Sequence, residues 1–329
     1  MVVYYLADKK DSLKNRLQSV ITAVKREYES CSICPKDCRV NRLKDEIGAC
    51  GVGRDSKVFN SVVLVNEDPR IAPTYAIYLA GCNINCQFCS AKKENKQNIG
   101  TPLNCALTQQ IRKDIEVSKP ETISFLGGEP SVHLLTILEI IQNLDSEIPL
   151  VFYSNMYYHY RINSILEEIF DRFIVDLHYG NNDCAINIAG AENFFPIVTQ
   201  NIIRMKERLI LRHLLLPGHL DCCFKKIAVW AKTNLPDQIF YLLTDYFPYN
   251  LSNPTNRRIN NDEITSALNY AKEIGLEVKT LDVLRRPQEA VVDRGHSQEI
   301  TIDGDGTVVF KYNTIEAIEI ARSIGGYDD

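Results

Sequence analysis

The chain has 329 residues, 37 Lys and Arg against 42 Asp and Glu, and a formal net charge of −5. A hydrophobic content of 45% and a charged content of 24% are those of a globular protein with one large domain or two ordinary ones. The acidic balance speaks against bulk nucleic-acid binding, and no apolar run approaches the ~18–20 residues that a membrane helix needs.

At the N-terminus Val2–Ala7 precedes Asp8, Lys9, Lys10 and Asp11, the wrong order for a signal peptide, so a cytoplasmic protein without membrane partners is expected. Residues 12–29 predict an amphipathic helix, with Leu13, Leu17, Val20, Ile21 and Val24 at helical spacing and Ser12 as N-cap. Next come Cys31, Cys34, Cys38 and Cys50, spaced C-x2-C-x3-C-x11-C among turn-forming Pro and Gly. Four thiols close a tetrahedral shell, as structural zinc does, and the same ligands suit an auxiliary iron–sulfur cluster; packed thiols without metal are the plain alternative.

From residue 75 short apolar strands alternate with helical segments. Strands are expected at 75–80, 122–126, 150–154, 173–177, 209–216 and 238–244, with a further one at 277–283. Helices are expected at 107–117, 134–144, 162–169, 194–208, 224–233 and 262–274. This βα alternation makes a parallel sheet, and six units are too few to close an eight-stranded barrel. The expected fold class is therefore α/β: a partial (βα)6 TIM-like barrel over residues 75–284. An N-terminal helical, Cys-rich extension (1–74) precedes it, and a small C-terminal β-hairpin and helix (285–329) follows. The hairpin pairs 299–302 with 307–312 around a plain Asp303–Gly306 turn, and the last helix falls at 314–324.

The chemistry concentrates at Gly81-Cys82-Asn83-Ile84-Asn85-Cys86-Gln87-Phe88-Cys89, just after the first barrel strand. Eleven cysteines are many, and seven of them fall in two clusters before residue 90, which in a reducing compartment argues for metal over disulfides. Cys82, Cys86 and Cys89 fit one tight loop and can aim three soft thiolates at one centre. Three where four would close the shell leaves an open metal position; a zinc knuckle or three core thiols are the alternatives. Cys105, Cys184, Cys222 and Cys223 are scattered and read as small core hydrophobes, the adjacent Cys222 and Cys223 making a poor ligand pair.

Other polar groups interrupt the strand ends. Gly127-Gly128-Glu129-Pro130 ends the second strand, where glycines let backbone approach a ligand and Glu129 can pair with an ammonium. Ser154-Asn155 ends the third strand and Asp176-Leu177-His178 the fourth. Arg212 and His213 sit in an apolar strand before Pro217-Gly218; they alternate in direction, so one of them faces the interior. Tyr246-Phe247-Pro248-Tyr249, Asn256-Arg257-Arg258 and Glu263 suit either a substrate channel or an ordinary surface loop.

The C-x3-C-x2-C loop with an aromatic before the last cysteine, followed by Gly-Gly-Glu-Pro, resembles the radical SAM superfamily. The order of motifs over residues 30–285 is similar to the branch of proteins related to pyruvate formate-lyase activating enzyme, here with the four-Cys segment ahead of the barrel. The resemblance implies that Cys82, Cys86 and Cys89 hold a [4Fe–4S] cluster whose open iron binds S-adenosylmethionine. It further implies that Gly127, Gly128, Glu129, Ser154, Asn155, Asp176 and Arg212 or His213 contact that cofactor. Met156 stands where the activases carry a glycine, and His178 where they carry a lysine. The implied activity is radical hydrogen abstraction from a protein or peptide, including glycyl-radical activation, with an electron donor such as flavodoxin or ferredoxin. The alternative reading is a non-catalytic iron–sulfur or zinc protein serving electron transfer or scaffolding.

Overall fold

The computed structural model describes residues 4–65, 67–144, 146–246, 257–281, 300–302 and 308–310, with side chains from residue 16 to 280. Its main element is a nine-stranded sheet in the order β3-β1-β2-β4-β5-β6-β7-β8-β9, open at β3 and β9. The strands are β1 (Lys57–Leu64), β2 (Thr74–Ala80), β3 (Thr101–Pro102), β4 (Thr122–Gly127), β5 (Leu150–Ser154), β6 (Arg172–Asp176), β7 (Leu209–Leu214), β8 (Phe240–Leu243) and β9 (Val278–Leu281). From β2 through β4 to β9 every pairing is parallel, as the βα pattern requires.

Between these strands run α2 (Lys92–Gln97), α3 (Cys105–Ser118), α4 (Leu134–Leu144), α5 (Asn163–Ile169), α6 (Asn182–Ala189), α7 (Phe194–Met205), α8 (Lys225–Asn234) and α9 (Asn261–Glu273). The expected partial barrel is thus present, and seven expected strands fall on β2 and β4–β9 within two or three residues. Three features differ from expectation. β1 pairs antiparallel with β2 and carries β3 on its outer edge, so the 1–74 segment adds one strand, β1, to the same sheet. The first helix, α1 (Tyr4–Glu29), starts well before Ser12, which lies inside it and not at its N-cap. The helices α2 and α6 fall in segments for which no helix was expected.

Strand alternation divides the core into two faces. Val151, Tyr153, Ile174, Ile210 and Tyr241 face the concave side and cluster there with Ile71. Phe152, Phe173, Val175, Leu211 and Phe240 point the other way, beneath the helices. Each fully buried Leu, Val or Phe contributes about 1.5–3 kcal/mol by leaving water, so two buried faces make the strands read as continuous apolar runs. Ile71 arrives on the β1–β2 connection, held by Thr122 Oγ1 donating to Ile71 O at 2.6 Å and by Ile71 N donating to Asp68 O at 2.9 Å. That connection therefore floors the concave face at the N-terminal ends of the parallel strands.

α1 packs on α4 and α5. Its Tyr28 hydroxyl donates to Val132 O at 3.2 Å and accepts from Leu135 N at 3.3 Å. β10 (Ile300–Ile302) and β11 (Val308–Phe310) form the expected antiparallel hairpin. Its Asp303–Gly306 turn and the expected helix at 314–324 lie outside the described residues. No helix among the described residues is long and apolar enough to cross a membrane.

Candidate functional site

β2 delivers the chain to Gly81, whose φ of +119° and whose contact with Val52, 2.3 Å from any added Cβ, leave room only for glycine. The following loop is fixed by backbone bonds at three points. Cys82 N donates to Cys50 O at 3.2 Å, Asn85 N to Ala189 O at 2.8 Å and Gln87 N to Ile188 O at 3.0 Å. The last two acceptors are end carbonyls of α6, which have no partner within their helix. Phe88 packs its ring against His178, Tyr179 and Tyr246. Cys82, Cys86 and Cys89 then line one cavity of about 780 Å3, within the range of cofactor sites.

Each of the three sulfurs has its own side-chain donor nearby. Tyr179 Oη donates to Cys86 Sγ at 3.0 Å, Asn95 Nδ2 lies 3.6 Å from Cys89 Sγ, and Asn155 Nδ2 lies 3.9 Å from Cys82 Sγ. Burial pushes the Cys86 thiol up to about 12 and raises Cys82 and Cys89 as well. Unmetallated, all three are neutral thiols, and a coordinated cation would displace their protons. Three thiols with N–H and O–H donors on one cavity wall are a donor set that fits a [4Fe–4S] cluster with one iron left open.

The second strand end meets this loop closely. A Cβ on Gly128 would sit 1.8 Å from Gly81 O, and Glu129 N donates to that same oxygen at 2.9 Å. Gly127 and Gly128 line the cavity. Glu129 is 1% exposed, and its carboxylate accepts from Ser131 N (3.0 Å), Ser154 Oγ (2.8 Å) and Asn155 N (2.9 Å). Burial raises its pKa, and those donors oppose the rise. Glu129 thus lies behind the wall, where it fastens the end of β4 to the end of β5. Ser154 and Asn155 line the cavity in front of it. Asn155 Nδ2 donates to Asn83 Oδ1 at 3.0 Å, which links the Glu129 network to the cysteine loop.

Asp176 and Arg212 also line the cavity, on adjacent strands β6 and β7. Arg212 Nε and Nη2 donate to the two Asp176 oxygens at 2.8 and 2.9 Å, and Nη1 lies 3.5 Å from Glu67 Oε2. Burial alone would lower the guanidinium pKa; the Asp176 and Glu67 carboxylates more than offset it and raise it. Glu67 enters from the β1–β2 connection, which gave no signal of a site in the sequence. The Arg212 guanidinium also stacks 5.0 Å from the Tyr153 ring centroid.

Of the alternating pair, Arg212 faces the cavity, whereas His213 points into the layer beneath the helices. His213 Nδ1 donates to Leu177 O at 2.7 Å, its Nε2 is buried without a partner, and Phe224 and Phe240 flank the ring. Burial pushes the His213 pKa down to about 3, and that of His133 likewise to about 3. Both stay neutral in the fold while an unfolded histidine protonates near 6.5. The stability they hold above pH ~6.5 is therefore lost as pH falls towards 3, by at most ~1.4 kcal/mol per pH unit for each. Urea midpoints are expected to drop between pH 7 and pH 5, and less so in His213→Phe; equal drops would refute this origin.

Ahead of the barrel, Cys31, Cys34, Cys38 and Cys50 are electrostatic neighbours of one another. A Cβ at Gly48 would lie 3.4 Å from both Cys38 Sγ and Cys50 Sγ. Backbone amides two residues on donate to Cys31, Cys34 and Cys50, as they do to Cys82 and Cys89. Arg42, 0% exposed, lies beside this group. Its Nε and Nη2 donate to Gly53 O, Nη2 also donates to Val132 O, Nη1 has no partner, and the guanidinium stacks 4.0 Å from the Tyr28 ring. Among the described residues no carboxylate pairs with it. A buried cation without a carboxylate is costly, and metal-bound thiolates at Cys31 and Cys50 would supply the missing negative charge.

Two readings of the remaining cysteines need correction. Cys105 is exposed at the start of α3, so it is no core thiol. Cys184, Cys222 and Cys223 are not scattered: with His219 they bring four ligand atoms within 4.8 Å of one another. Sequence separation hid this, because 34 residues, α7 and β7 among them, lie between Cys184 and His219. Of the mouth residues, Tyr246 lines the cavity. Arg257 is paired with Glu263 at 2.7 Å, and Glu263 completes the capping box of α9 with Asn260. Residues 247–256 lie outside the described residues.

A family model described as a 4Fe-4S single cluster domain matches residues 73–188, which includes the cysteine loop and the Glu129 turn. The chain is 30% identical over 276 residues to the uncharacterized protein MJ0674 of Methanocaldococcus jannaschii, covering 80% of each. It is 26% identical over 102 residues to the 7-carboxy-7-deazaguanine synthase of Hyperthermus butylicus, covering 28% of this chain and 42% of that one. Among solved structures, a radical SAM methyltransferase from Sphaerobacter thermophilus aligns with a TM-score of 0.48 at 16% identity, covering 65% of this chain and 67% of that chain.

Proposed function

This chain belongs to the radical SAM superfamily, and on that premise we propose that it abstracts hydrogen from a protein or peptide substrate. The observation that carries the reading is the three-thiol wall of Cys82, Cys86 and Cys89 on a cavity that Gly127, Gly128, Asn155, Asp176 and Arg212 also line. In this reading the three thiolates hold a [4Fe–4S] cluster and the rest of the cavity holds S-adenosylmethionine. When bound, the cluster supplies the single electron that splits the sulfonium and yields a carbon radical able to take hydrogen.

The chain's own residues provide placement and electrostatics. Tyr179, Asn95 and Asn155 aim N–H and O–H dipoles at the sulfurs, stabilising thiolate charge and raising the ease of reduction. Asp176, held by Arg212, presents a fixed anion with spare lone pairs for ammonium or hydroxyl donors. Glu129 acts as a positioning residue through Ser154 and Asn155. The floor formed by the β1–β2 connection leaves the strand C-terminal ends as the way in, so a long substrate enters over Tyr246 and a reducing protein such as flavodoxin or ferredoxin docks outside.

Anaerobic reconstitution with iron and sulfide, followed by S-adenosylmethionine and dithionite, is expected to give 5′-deoxyadenosine. None forming would leave the non-catalytic electron-transfer or scaffold reading in its place. Deuterium carried into 5′-deoxyadenosine from the macromolecular fraction of a deuterated extract is expected. Transfer from the small-molecule fraction alone would favour a heterocyclic substrate, the reading that the name of the shorter synthase match suggests.

A further inference from the structure

Cys184 stands in the first turn of α6, capped by Asn181, while His219, Cys222 and Cys223 lie on the wide helical turn that leads from β7 into α8. One imidazole nitrogen and three sulfurs lie within 4.8 Å of one another. His219 Nδ1 is their hub, 3.2 Å from Cys222 Sγ, 3.6 Å from Cys184 Sγ and 3.9 Å from Cys223 Sγ. Tetrahedral zinc, with bonds of ~2.0–2.3 Å, keeps its ligand atoms ~3.3–3.8 Å apart, so these four already have nearly the size of a closed shell. A [4Fe–4S] cube, in which each thiolate takes its own iron, needs its sulfurs further apart.

The surroundings favour thiolates at the same place. Asn181 Nδ2 donates to Cys184 Sγ at 3.2 Å and to Cys222 O at 2.7 Å, while Asn181 Oδ1 accepts from Cys184 N at 2.8 Å. The Gly180 amide donates to Cys223. Gly180 also packs so tightly that an added Cβ would lie 2.5 Å from Cys223 O, so the turn after β6 and the turn after β7 are already in contact.

We propose that Cys184, His219, Cys222 and Cys223 form a structural Zn(II) site with four protein ligands and no open position. Three thiol protons leave to solvent as one dication binds, and no electron moves. Three soft sulfurs and an imidazole select zinc over hard cations such as magnesium or calcium. The site pins the two turns that frame the cysteine loop, since Tyr179 in the first turn donates to Cys86 and the far end of α6 holds Asn85 and Gln87. It rests on none of the radical chemistry.

Full-length protein grown with zinc and dialysed is compared with Cys222→Ser/Cys223→Ser and with His219→Ala by elemental analysis. The parent is expected to carry one more zinc per chain than either variant; equal contents overturn the site. Because the variants can fail to fold, iodoacetamide labelling of the parent is mapped by peptide mass with and without chelator. Cys184 and Cys222, both partly exposed, are expected to label only after chelation, while exposed Cys105 labels in both samples. Equal labelling with and without chelator, or a disulfide among Cys184, Cys222 and Cys223 in the unreduced map, overturns the proposal.

Discussion

Cys86→Ala is expected to abolish 5′-deoxyadenosine formation in the reconstituted chain. Cys86 lines the cavity with Cys82 and Cys89, and its sulfur accepts from Tyr179 Oη at 3.0 Å. Losing an outer partner of a metal ligand typically costs ~10–100-fold, so losing the ligand itself should cost at least the upper end of that range. Tyr179→Phe removes only the O–H···S contact and should fall between parent and Cys86→Ala, near a ~10-fold loss with the iron retained. Iron content, the electron paramagnetic signal of the reduced sample and product yield are read together. If Cys86→Ala keeps iron and product, the three-cysteine loop is not the reactive centre. If Tyr179→Phe matches the parent in yield and in reduction potential, its hydroxyl does not tune the sulfur.

Arg212→Met is expected to cost the fold about 3–5 kcal/mol, the usual penalty for stripping one partner from a buried ion group. Glu67 and Asp176 would then face each other across the cavity floor with their bridging cation gone. Asp176 keeps about a third of its side chain exposed, which places the expected cost at the lower end of the range. In a chain of this size a loss of ~3 kcal/mol lowers the melting temperature by roughly 4 °C. Adding Glu67→Gln and Asp176→Asn to Arg212→Met should recover part of the loss, since neutral partners no longer repel. Calorimetry of the single and triple variants checks this. Additive losses, with no recovery, would mean that the three groups do not act as one unit.

The parallel strands were legible because both of their faces are buried: Leu150–Ser154 and Phe240–Leu243 are nearly unbroken apolar runs. β1 was missed because Asn60 and Ser61 interrupt its pattern, and its pairing is antiparallel at the edge of the parallel array. α2 buries no residue at all, so it carries no apolar period to read. The cysteine loop and Gly127–Gly128 were legible because thiols and glycines announce a local need. Glu129 shows the limit of that reasoning: its carboxylate is bound by its own neighbours two and about 25 residues away, which spacing does not reveal. Glu67 and the meeting of Cys184 with the His219–Cys222–Cys223 turn were invisible for the same reason. Their partners come from other βα units, and only the tertiary fold sets the distances.

The bond from Cys82 N to Cys50 O bears on the order in which the protein is assembled. Gly81 rests on Val52, and the first sulfur of the loop is hung from the backbone of the last cysteine of the N-terminal four. The loop after β2 therefore reaches its final shape only once residues 48–53 have been laid beside it. Those residues precede the loop in the chain, so they are already synthesised when the loop emerges. Shortening the chain from its front by 56 residues would leave a barrel with all its parallel strands and a loop that has lost its hinge pin.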